Sequence, residues 1–278
     1  MSPILLGGDL PLRRLGFGAM HLTGPDVWGP PTDPEAAMAV ARRAVELGVN
    51  FIDTADSYGP GSSEMVLADA LHPYQDGLVI GTKAGQSRPS RDEWRPVGRP
   101  EYLRQQAELS LRYLKLDRID LFQLHRIDPL VPAAEQFGAL KQLQDDGKIR
   151  HIGLSEVTVA QIEEARQQID VVSVQNLYNF SQRKHDDVID YCERENLVFI
   201  PWVPIASGDL AGWDGPLGTV AKQLDATPAQ VALAWLLRRS PVIVPIPGTS
   251  SIAHLEENVA AESIELSDAQ FAELTSAR

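Results

Sequence analysis

The chain has 278 residues, and its 44% hydrophobic and 23% charged content is that of an ordinary globular protein. Its formal net charge is −13, from 25 Lys and Arg against 38 Asp and Glu. That charge argues against nucleic acid as a partner, because the protein would repel phosphates. No stretch approaches the roughly 18 unbroken apolar residues of a membrane-spanning helix, so no membrane partner is expected.

The cysteine content, the first residues and the lack of a linker indicate the compartment and the number of domains. The single cysteine, Cys192, excludes an intrachain disulfide and a thiolate metal cluster, which fits a reducing compartment. Residues 1–9 lack the basic and apolar regions of a signal peptide, and no low-complexity linker divides the chain. We expect a cytoplasmic protein without a bound metal that forms one domain over residues 1–278.

The predicted elements begin with two short strands, residues 4–6 and 10–12, around a glycine turn typical of a β-hairpin. Apolar runs rich in β-branched residues then predict eight strands, at residues 14–18, 50–53, 78–83, 119–124, 149–155, 171–175, 198–202 and 242–246. Helical periodicity predicts helices at residues 33–47, 101–114, 161–168, 186–195 and 228–238. This alternation is typical of an α/β fold, the (β/α)₈ TIM barrel, with the hairpin capping the bottom. A doubly wound sheet also fits, although it usually has fewer units.

Ionisable side chains follow three of the predicted strands. Asp53 ends the second strand, Lys83 ends the third, and His125 follows the fourth, while Tyr58 lies in the loop after Asp53. The reactive groups of a (β/α)₈ barrel lie at the carboxyl ends of its strands. Each residue alone has a structural explanation, but together they predict one cluster at the barrel rim.

The segments around these residues resemble the aldo-keto reductase superfamily. Residues 51–59, FIDTADSYG, resemble the signature that bears its catalytic Asp and Tyr, residues 81–83 resemble its lysine strand, and His125 matches its histidine. Later segments resemble its cofactor-binding strands and loops, namely residues 153–155, 174–179 and 246–258. The resemblance extends from the hairpin to near the carboxyl end, and it implies a barrel enzyme that reduces aldehydes or ketones to alcohols.

The resemblance implies four catalytic roles. Tyr58 is the general acid that protonates the alkoxide formed when hydride reaches a carbonyl, and it is the base in the reverse oxidation. Lys83 lowers the pKa of the phenol, because a nearby cation favours the phenolate. Asp53 holds Lys83 in place and keeps it charged, while His125 orients the carbonyl oxygen.

The implied cofactor is NADPH or NADP⁺. A Rossmann fingerprint is not present, because His21 stands where the third glycine after Gly16 and Gly18 would be. The nicotinamide is expected to stack on Trp202 and to bond Ser155 and Gln175. The predicted cofactor-binding residues are Gly18, Met20, Asp53, Ser155, Gln175, Trp202, Pro204, Ile205, Ser207, Gly208, Leu210, Gly248, Thr249, Ser250, His254, Glu257 and Asn258.

Three positions depart from the family pattern. Many members have Lys where Gly248 stands and Arg where His254 stands, and both cations contact the 2′-phosphate of NADPH. Glu156 stands where Asn is common, and its carboxylate either bonds the carboxamide or is a solvated loop acid. NADPH is therefore expected from family habit more than from local charge, and NADH stays possible.

The substrate pocket is expected to be formed by the loops at the barrel mouth. Trp28, Trp94 and Trp213 are candidates to line it beside Tyr58 and His125, although each tryptophan could equally pack against a neighbouring loop. Four arginines after the third strand either bind an anionic substrate or form a solvated basic loop, namely Arg88, Arg91, Arg95 and Arg99. Several loop segments are similar to bacterial pyridoxal reductases, so pyridoxal or another aromatic aldehyde is the hypothetical substrate.

Two other classes of function also fit the sequence. A regulatory subunit that senses the NADPH/NADP⁺ ratio, like the potassium-channel β subunits that resemble this family, can keep all four residues. The acidic composition favours an enzyme over such a subunit. A further alternative is a different barrel enzyme that binds phosphate at the seventh and eighth strands.

Overall fold

A computed structural model describes residues 3–205 and 214–277, and the described chain begins with a hairpin. Strands β1 (Ile4–Leu6) and β2 (Leu10–Leu12) pair antiparallel, and Gly7 and Gly8 in their turn have φ angles of 60° and 81° that favour glycine. The inward side chains of Leu6 and Leu12 are fully buried. They pack in one cluster with the residues that begin the sheet strands, so the hairpin covers the bottom of the barrel.

Seven parallel strands form the main sheet of the described residues, and they follow one another in chain order. They are β3 (Phe17–Gly18), β4 (Phe51–Asp53), β5 (Val79–Ala84), β8 (Ile119–Leu124), β9 (Ile149–Ser155), β10 (Val171–Gln175) and β11 (Val198–Phe199). Between β5 and β8, strands β6 (Gln86–Ser90) and β7 (Glu93–Pro96) form a separate antiparallel hairpin that the sequence did not predict. Because the strands are parallel, all their carboxyl ends lie at one end of the barrel.

The predicted eighth strand, residues 242–246, is an extended segment rather than a regular strand. Phe199 N donates to Val242 O (2.9 Å) and Val244 N donates to Phe199 O (2.8 Å) on one side. On the other side, Gly16 N donates to Pro245 O at 2.9 Å. The barrel is therefore closed by backbone hydrogen bonds. The ladder is incomplete because proline at 245 has no N–H to donate.

Two other strand boundaries were also wrong. The first strand begins at Phe17 rather than at residue 14, and the seventh ends at Phe199 rather than at residue 202. Residue 16 pairs with the segment that closes the barrel, and Trp202 makes only an isolated bridge to Leu177. Both ends lie beside the incomplete eighth position, where there is no regular partner strand.

Helices pack around the sheet. They are α1 (Pro34–Glu46), α2 (Ser62–Leu71), α3 (Pro100–Leu114), α4 (Ala133–Asp145), α5 (Val159–Ala165), α6 (Asp186–Glu195), α7 (Pro216–Leu224), α8 (Pro228–Arg239), α9 (Ile252–Ala260) and α10 (Asp268–Ser276). The predicted boundaries of α1, α3, α6 and α8 agree with the structure to within one residue. At the starts of α1 and α8 the agreement follows from the capping residues Asp33 and Thr227. Helix α5 begins and ends earlier than predicted, because Thr158 forms its capping box with Gln161.

In the described chain, two clusters of buried apolar side chains fill the space between the sheet and the helices, and the following residues belong to the larger one. Outward-facing strand residues such as Phe122, Ile152 and Val174 are fully buried, together with Phe137 of α4 and Trp235 of α8. Within residues 3–205 and 214–277, no helix combines the length and the apolar character needed to cross a membrane.

Candidate active site

The four residues predicted to form the rim cluster meet at the carboxyl ends of neighbouring strands. Asp53 ends β4, Lys83 is near the end of β5, and His125 directly follows β8. Lys83 Nζ lies 2.5 Å from Asp53 Oδ2 and 3.5 Å from the Tyr58 hydroxyl, and the Tyr58 and His125 rings are 5.9 Å apart. The exposed fraction of each residue is 8% or less, so these polar groups interact where little water screens them.

The loop after β4 places the Tyr58 hydroxyl beside Lys83. Asp56 N donates to Lys83 O and Tyr58 N donates to Ala55 O, which ties the loop to β5 and to itself. Gly59 has a φ of 63° and donates to Val27 O in the loop after β3. The turn therefore sends the Tyr58 side chain back over the strand ends instead of into solvent.

Hydrogen bonds fix the buried ion pair between Asp53 and Lys83. Lys83 Nζ also donates to Thr54 O at 2.8 Å. Asp53 Oδ1 accepts from Gln123 Nε2 at 3.0 Å and from Gln175 Nε2 at 2.8 Å. Burial acts to lower the pKa of Lys83, but the charges and hydrogen bonds of Asp53 and Tyr58 together outweigh it and the net pKa is raised. The ammonium is thus charged at neutral pH.

Tyr58 and His125 are both neutral in this setting. Burial raises the pKa of the Tyr58 phenol, and the opposing charges of Lys83 and Arg126 do not overcome it. Burial also lowers the pKa of His125 well below its usual value, and Lys83 and Arg126 act in the same direction. The His125 Nδ1 atom is 3.3 Å from the Ser57 hydroxyl. At neutral pH the site therefore contains a protonated phenol, an uncharged imidazole and a charged lysine.

Two buried carboxyl groups lie behind the cluster and were not predicted as part of it. Glu64 in α2 is fully buried, and its Oε1 accepts from the Thr82 hydroxyl at 2.6 Å. Burial raises its pKa to about 7. Asp56 accepts from the Tyr102 hydroxyl at 3.3 Å, and burial raises its pKa well above its usual value. The sequence signal of Glu64 was weak, since an acid in the first helical turn usually only stabilises the helix dipole.

A cleft of about 210 Å³ extends from Tyr58 to the segment that closes the barrel. Seven of the predicted cofactor residues line it, namely Gly18, Met20, Asp53, Trp202, Pro204, Ile205 and Gly248. Four further lining residues were not predicted, namely His21, Val203, Ile246 and Pro247. A Cβ atom on Gly18 would lie 2.7 Å from Ile246 O, and one on Gly248 would lie 2.7 Å from Gly18 O. Glycine is therefore required at both positions, and their backbones come close together in the cleft wall.

The remaining predicted cofactor residues fall into three groups. Ser155 and Gln175 line a second, adjoining cleft. Five residues lie in or just before α9, next to Gly248, and they are Thr249, Ser250, His254, Glu257 and Asn258. Of these, His254 is exposed, while Glu257 accepts from the Thr227 hydroxyl of the α8 cap. Ser207, Gly208 and Leu210 lie outside the described residues.

The carboxylate of Glu156 holds the Trp202 indole. Its Oε1 accepts from Trp202 Nε1 at 2.7 Å and from Leu177 N at 2.5 Å, and Lys184 Nζ is 4.0 Å from Oε2. The Glu156 side chain is 19% exposed. It is therefore not a solvated loop acid, and its Oε1 is already occupied by protein donors.

The second cleft has a volume of about 280 Å³ and opens beside Tyr58 and His125. It is lined by Met20, Tyr58, Gln86, Trp94, His125, Arg126, Ser155, Gln175 and Trp202. Of the predicted substrate residues, Tyr58, Trp94 and His125 are in this lining, whereas Trp28 is set back behind Arg88. Trp213 lies outside the described residues. Gln86 and Arg126 were missed, although Arg126 directly follows the histidine that the sequence singled out.

Of the four arginines in residues 88–99, Arg88 connects loops of the barrel rim. Arg88 is 8% exposed, with its guanidinium carbon 3.8 Å from the centre of the Trp94 ring and 5.3 Å from that of Trp28. It donates to the backbone oxygens of Val27 (2.8 Å) and Asp26 (3.1 Å). Exposed partners are Asp26 for Arg91 and Glu93 for Arg95. Arg88 is thus neither a solvated loop residue nor free to bind a substrate anion.

The barrel and the site together define an oxidoreductase enzyme of the aldo-keto reductase type. The chain belongs to the aldo/keto reductase family, whose model matches residues 14–278, and the fold agrees with solved members. It is similar to an uncharacterized oxidoreductase of Schizosaccharomyces pombe, with 53% identity over 96% of this chain and 87% of that protein. It is 44% identical to pyridoxine 4-dehydrogenase of Escherichia coli over 94% of this chain and 93% of that protein.

A solved structure gives the same picture of the fold. The aldo/keto reductase of Klebsiella pneumoniae, crystallised in complex with NADP and acetate, superposes with a TM-score of 0.82 and 25% identity. The match covers 98% of this chain and 94% of that one. The sequence-based predictions of family and barrel fold are therefore confirmed.

Proposed function

We propose that this protein is an NADPH-dependent carbonyl reductase in which Tyr58 is the proton donor, and that its substrate is pyridoxal or a similar aromatic aldehyde. One observation carries the proposal: Tyr58 lines both clefts, and its hydroxyl lies 3.5 Å from Lys83 Nζ while its ring lies 5.9 Å from that of His125. The first cleft has lining residues along enough of its length to take an extended cofactor. The second cleft has the aromatic and polar walls typical of a substrate site.

The first cleft fits a nicotinamide dinucleotide. Trp202, which lines both clefts, offers a flat ring that Glu156 holds in place, and Gly18 and Gly248 provide a wall without side chains. Ser155 and Gln175 of the adjoining second cleft offer polar groups to a carboxamide. NADPH bound there supplies a hydride to the carbonyl carbon. The known relatives support this choice of cofactor, because the Klebsiella reductase is crystallised with NADP.

Tyr58 would protonate the oxygen of the carbonyl as it gains negative charge. Its raised pKa keeps the phenol protonated at neutral pH, so the proton is available when the much more basic alkoxide forms. Lys83, 3.5 Å away, stabilises the phenolate that is left behind. Asp53 fixes the lysine, and it cannot itself reach the substrate cleft because it is 1% exposed.

His125 would orient the carbonyl oxygen as a neutral donor. Its lowered pKa means that one ring nitrogen carries the only proton. If the Ser57 hydroxyl donates to Nδ1, then the Nε2 proton is the one available to a substrate. A neutral imidazole beside Lys83 and Arg126 adds no further repulsion to the site.

The choice of pyridoxal rests on the Escherichia coli relative, a pyridoxine 4-dehydrogenase, together with the aromatic wall formed by Trp94 and Trp202. The alternative function is that of a regulatory subunit, and the assay below tests it. Cofactor binding without aldehyde turnover would support a regulatory subunit.

The test measures NADPH oxidation with pyridoxal and a panel of benzaldehydes. Tyr58→Phe should lose about 10²- to 10⁴-fold in kcat while the dissociation constant for NADPH changes little, because only the proton is removed. Tyr113→Phe, which removes the hydroxyl of another tyrosine on α3, is the matched control and should keep full activity. Near-native turnover by Tyr58→Phe would overturn the assignment. Titration of NADPH against NADH settles the preference, and equal dissociation constants would refute selectivity for NADPH.

A further inference from the structure

Arg126 places a positive charge in the wall of the second cleft. It directly follows His125 at the end of β8, and its guanidinium is half-buried beside Ser155 and Trp202. Its Nη1 donates to His125 O at 2.6 Å and to Ser155 Oγ at 3.1 Å. Its carbon lies 6.0 Å from the centre of the Trp202 ring. These contacts orient the group toward the cleft that Tyr58 and His125 line.

Among the described residues, the Arg126 guanidinium forms no ion pair. Its two hydrogen bonds go to uncharged oxygens and use one nitrogen, Nη1. Glu156 acts on its charge without a direct contact, and the carboxylate is occupied by Trp202 and Leu177. A guanidinium has donors on all three nitrogens, so Arg126 retains donors for another acceptor.

The rest of the cleft lining leaves this charge uncompensated. The other lining side chains within the described residues are aromatic, amide, hydroxyl, thioether or imidazole groups, and none is a carboxylate. Burial lowers the pKa of Arg126, because a cation taken out of water loses hydration. It still remains protonated, since arginine does not deprotonate in proteins. An anion in this cleft would therefore replace hydration that the guanidinium has lost.

We propose that Arg126 determines substrate specificity and selects aldehydes that carry an anionic oxygen, either a carboxylate or an ionised ring hydroxyl. This inference deepens the proposed function and rests on it. Two parallel N–H donors match a carboxylate in geometry as well as charge, and they match the single oxygen of an ionised ring hydroxyl in charge. Pyridoxal has a ring hydroxyl next to its aldehyde, so it belongs to this class. Arg126 fixes the aromatic ring while Tyr58 and His125 contact the carbonyl oxygen.

The first experiment compares matched substrates that differ in one charge. They are para-carboxybenzaldehyde against its methyl ester, and pyridoxal against its ring O-methyl ether. Arg126→Gln should lower kcat/KM for the two anions by about 10- to 100-fold, mainly through KM, because a hydrogen bond to a charged group is lost. The two neutral partners should change little. Arg126→Lys, which keeps the charge but not the fork, should recover part of the loss for the anions.

Arg91→Gln is the matched control. It removes the same charge from the same rim, but Arg91 is 51% exposed and pairs with Asp26 outside the cleft. It should leave the ratio of kcat/KM between anion and ester unchanged. If Arg126→Gln lowers kcat/KM equally for the acid and the ester, the proposal is overturned. Such a result would mean that Arg126 positions Tyr58 or contributes to cofactor binding.

A binding measurement separates this inference from the proposed function. Calorimetry with benzoate and with benzamide, on the protein saturated with NADP⁺, reports anion binding without turnover. Benzoate should bind the wild-type chain more tightly than benzamide, and Arg126→Gln should abolish the difference. If the wild-type chain reduces no aldehyde but shows this difference, the proposed function fails and the selection of aldehydes by Arg126 fails with it, while anion binding by Arg126 stands. If benzoate binds the wild-type chain and Arg126→Gln equally, the inference fails even where aldehydes are reduced.

Discussion

The ion pair between Asp53 and Lys83 can be tested by Asp53→Asn. Lys83 is fully buried and Asp53 is 1% exposed, with 2.5 Å between Nζ and Oδ2. Asparagine keeps the shape and can still accept from Gln123 or Gln175, but it leaves the ammonium without a counter-charge. Removing one partner of a buried pair costs about 3–5 kcal/mol of the free energy of unfolding. We expect a loss of that size near neutral pH.

The pH dependence of this loss distinguishes a stranded charge from a simple packing defect. In the wild-type chain the pKa of Lys83 is raised, so its contribution to stability is fully present below the pKa of the unfolded chain and is lost only in more alkaline solution. In Asp53→Asn, burial acts without the offset from Asp53 and lowers the pKa of Lys83. The folded variant then binds fewer protons than the unfolded chain. Its free energy of unfolding should therefore rise by about 1.4 kcal/mol per pH unit up to about pH 10.

The assay is urea unfolding of both proteins at several pH values between about 7 and 10, so that other titrating groups cancel in the difference. The control is the double variant Asp53→Asn with Lys83→Met, which removes both charges. It should regain much of the stability and lose the pH dependence, because an apolar side chain of similar length replaces the ammonium. A penalty for Asp53→Asn that stays constant over this pH range would refute the reasoning.

Two further predictions concern buried carboxylates. Glu156→Gln keeps an acceptor for Trp202 and Leu177 but removes the negative charge. It should therefore lower the free energy of unfolding by about 1–2 kcal/mol and tighten NADPH binding in a fluorescence titration. Weaker NADPH binding would contradict the second expectation. Glu64 has a pKa of about 7, above its ordinary 4.5, so its protonated form stabilises the fold at acid pH and this stabilisation is lost as the pH rises through about 7. Glu64→Gln should therefore flatten the dependence of the free energy of unfolding on pH, and near pH 8 it should be about 3 kcal/mol more stable than the wild-type chain. The measurement is urea unfolding at several pH values, and the same dependence on pH in both proteins would count against the prediction.

The chain order of strands and helices was predictable because most boundaries depend on local chemistry. Asp33 and Thr227 cap helices wherever those helices pack, and the start and end of α6 were predicted to the residue. The eighth position failed for a local reason that could have been recognised. Prolines at 245 and 247 remove the N–H groups of a regular ladder, although the apolar pattern still favours a strand.

Residues whose role depends on distant partners were predicted less well. Arg88 was grouped with its neighbours in a basic loop, but it is buried between two tryptophans, one of which lies about 60 residues earlier. Glu156 was treated as a contact for the cofactor or for solvent, and it is bonded to Trp202 on another strand segment. Such partners are invisible in sequence because burial decides them, and burial is a property of the whole fold.

The amino-acid sequence is enough to predict the family, the barrel and the meeting of Asp53, Tyr58, Lys83 and His125, because parallel strands bring all their carboxyl ends to one rim. The charge state of these four residues depends instead on the tertiary structure. Burial keeps Tyr58 and His125 neutral, while Asp53 keeps Lys83 charged. The tertiary structure also establishes which arginine faces the second cleft. Arg88 is enclosed by backbone oxygens and aromatic rings, whereas Arg126 lies in the cleft wall and forms no ion pair within residues 3–205 and 214–277. The desolvation and pairing of a charge depend on neighbours far away in the chain.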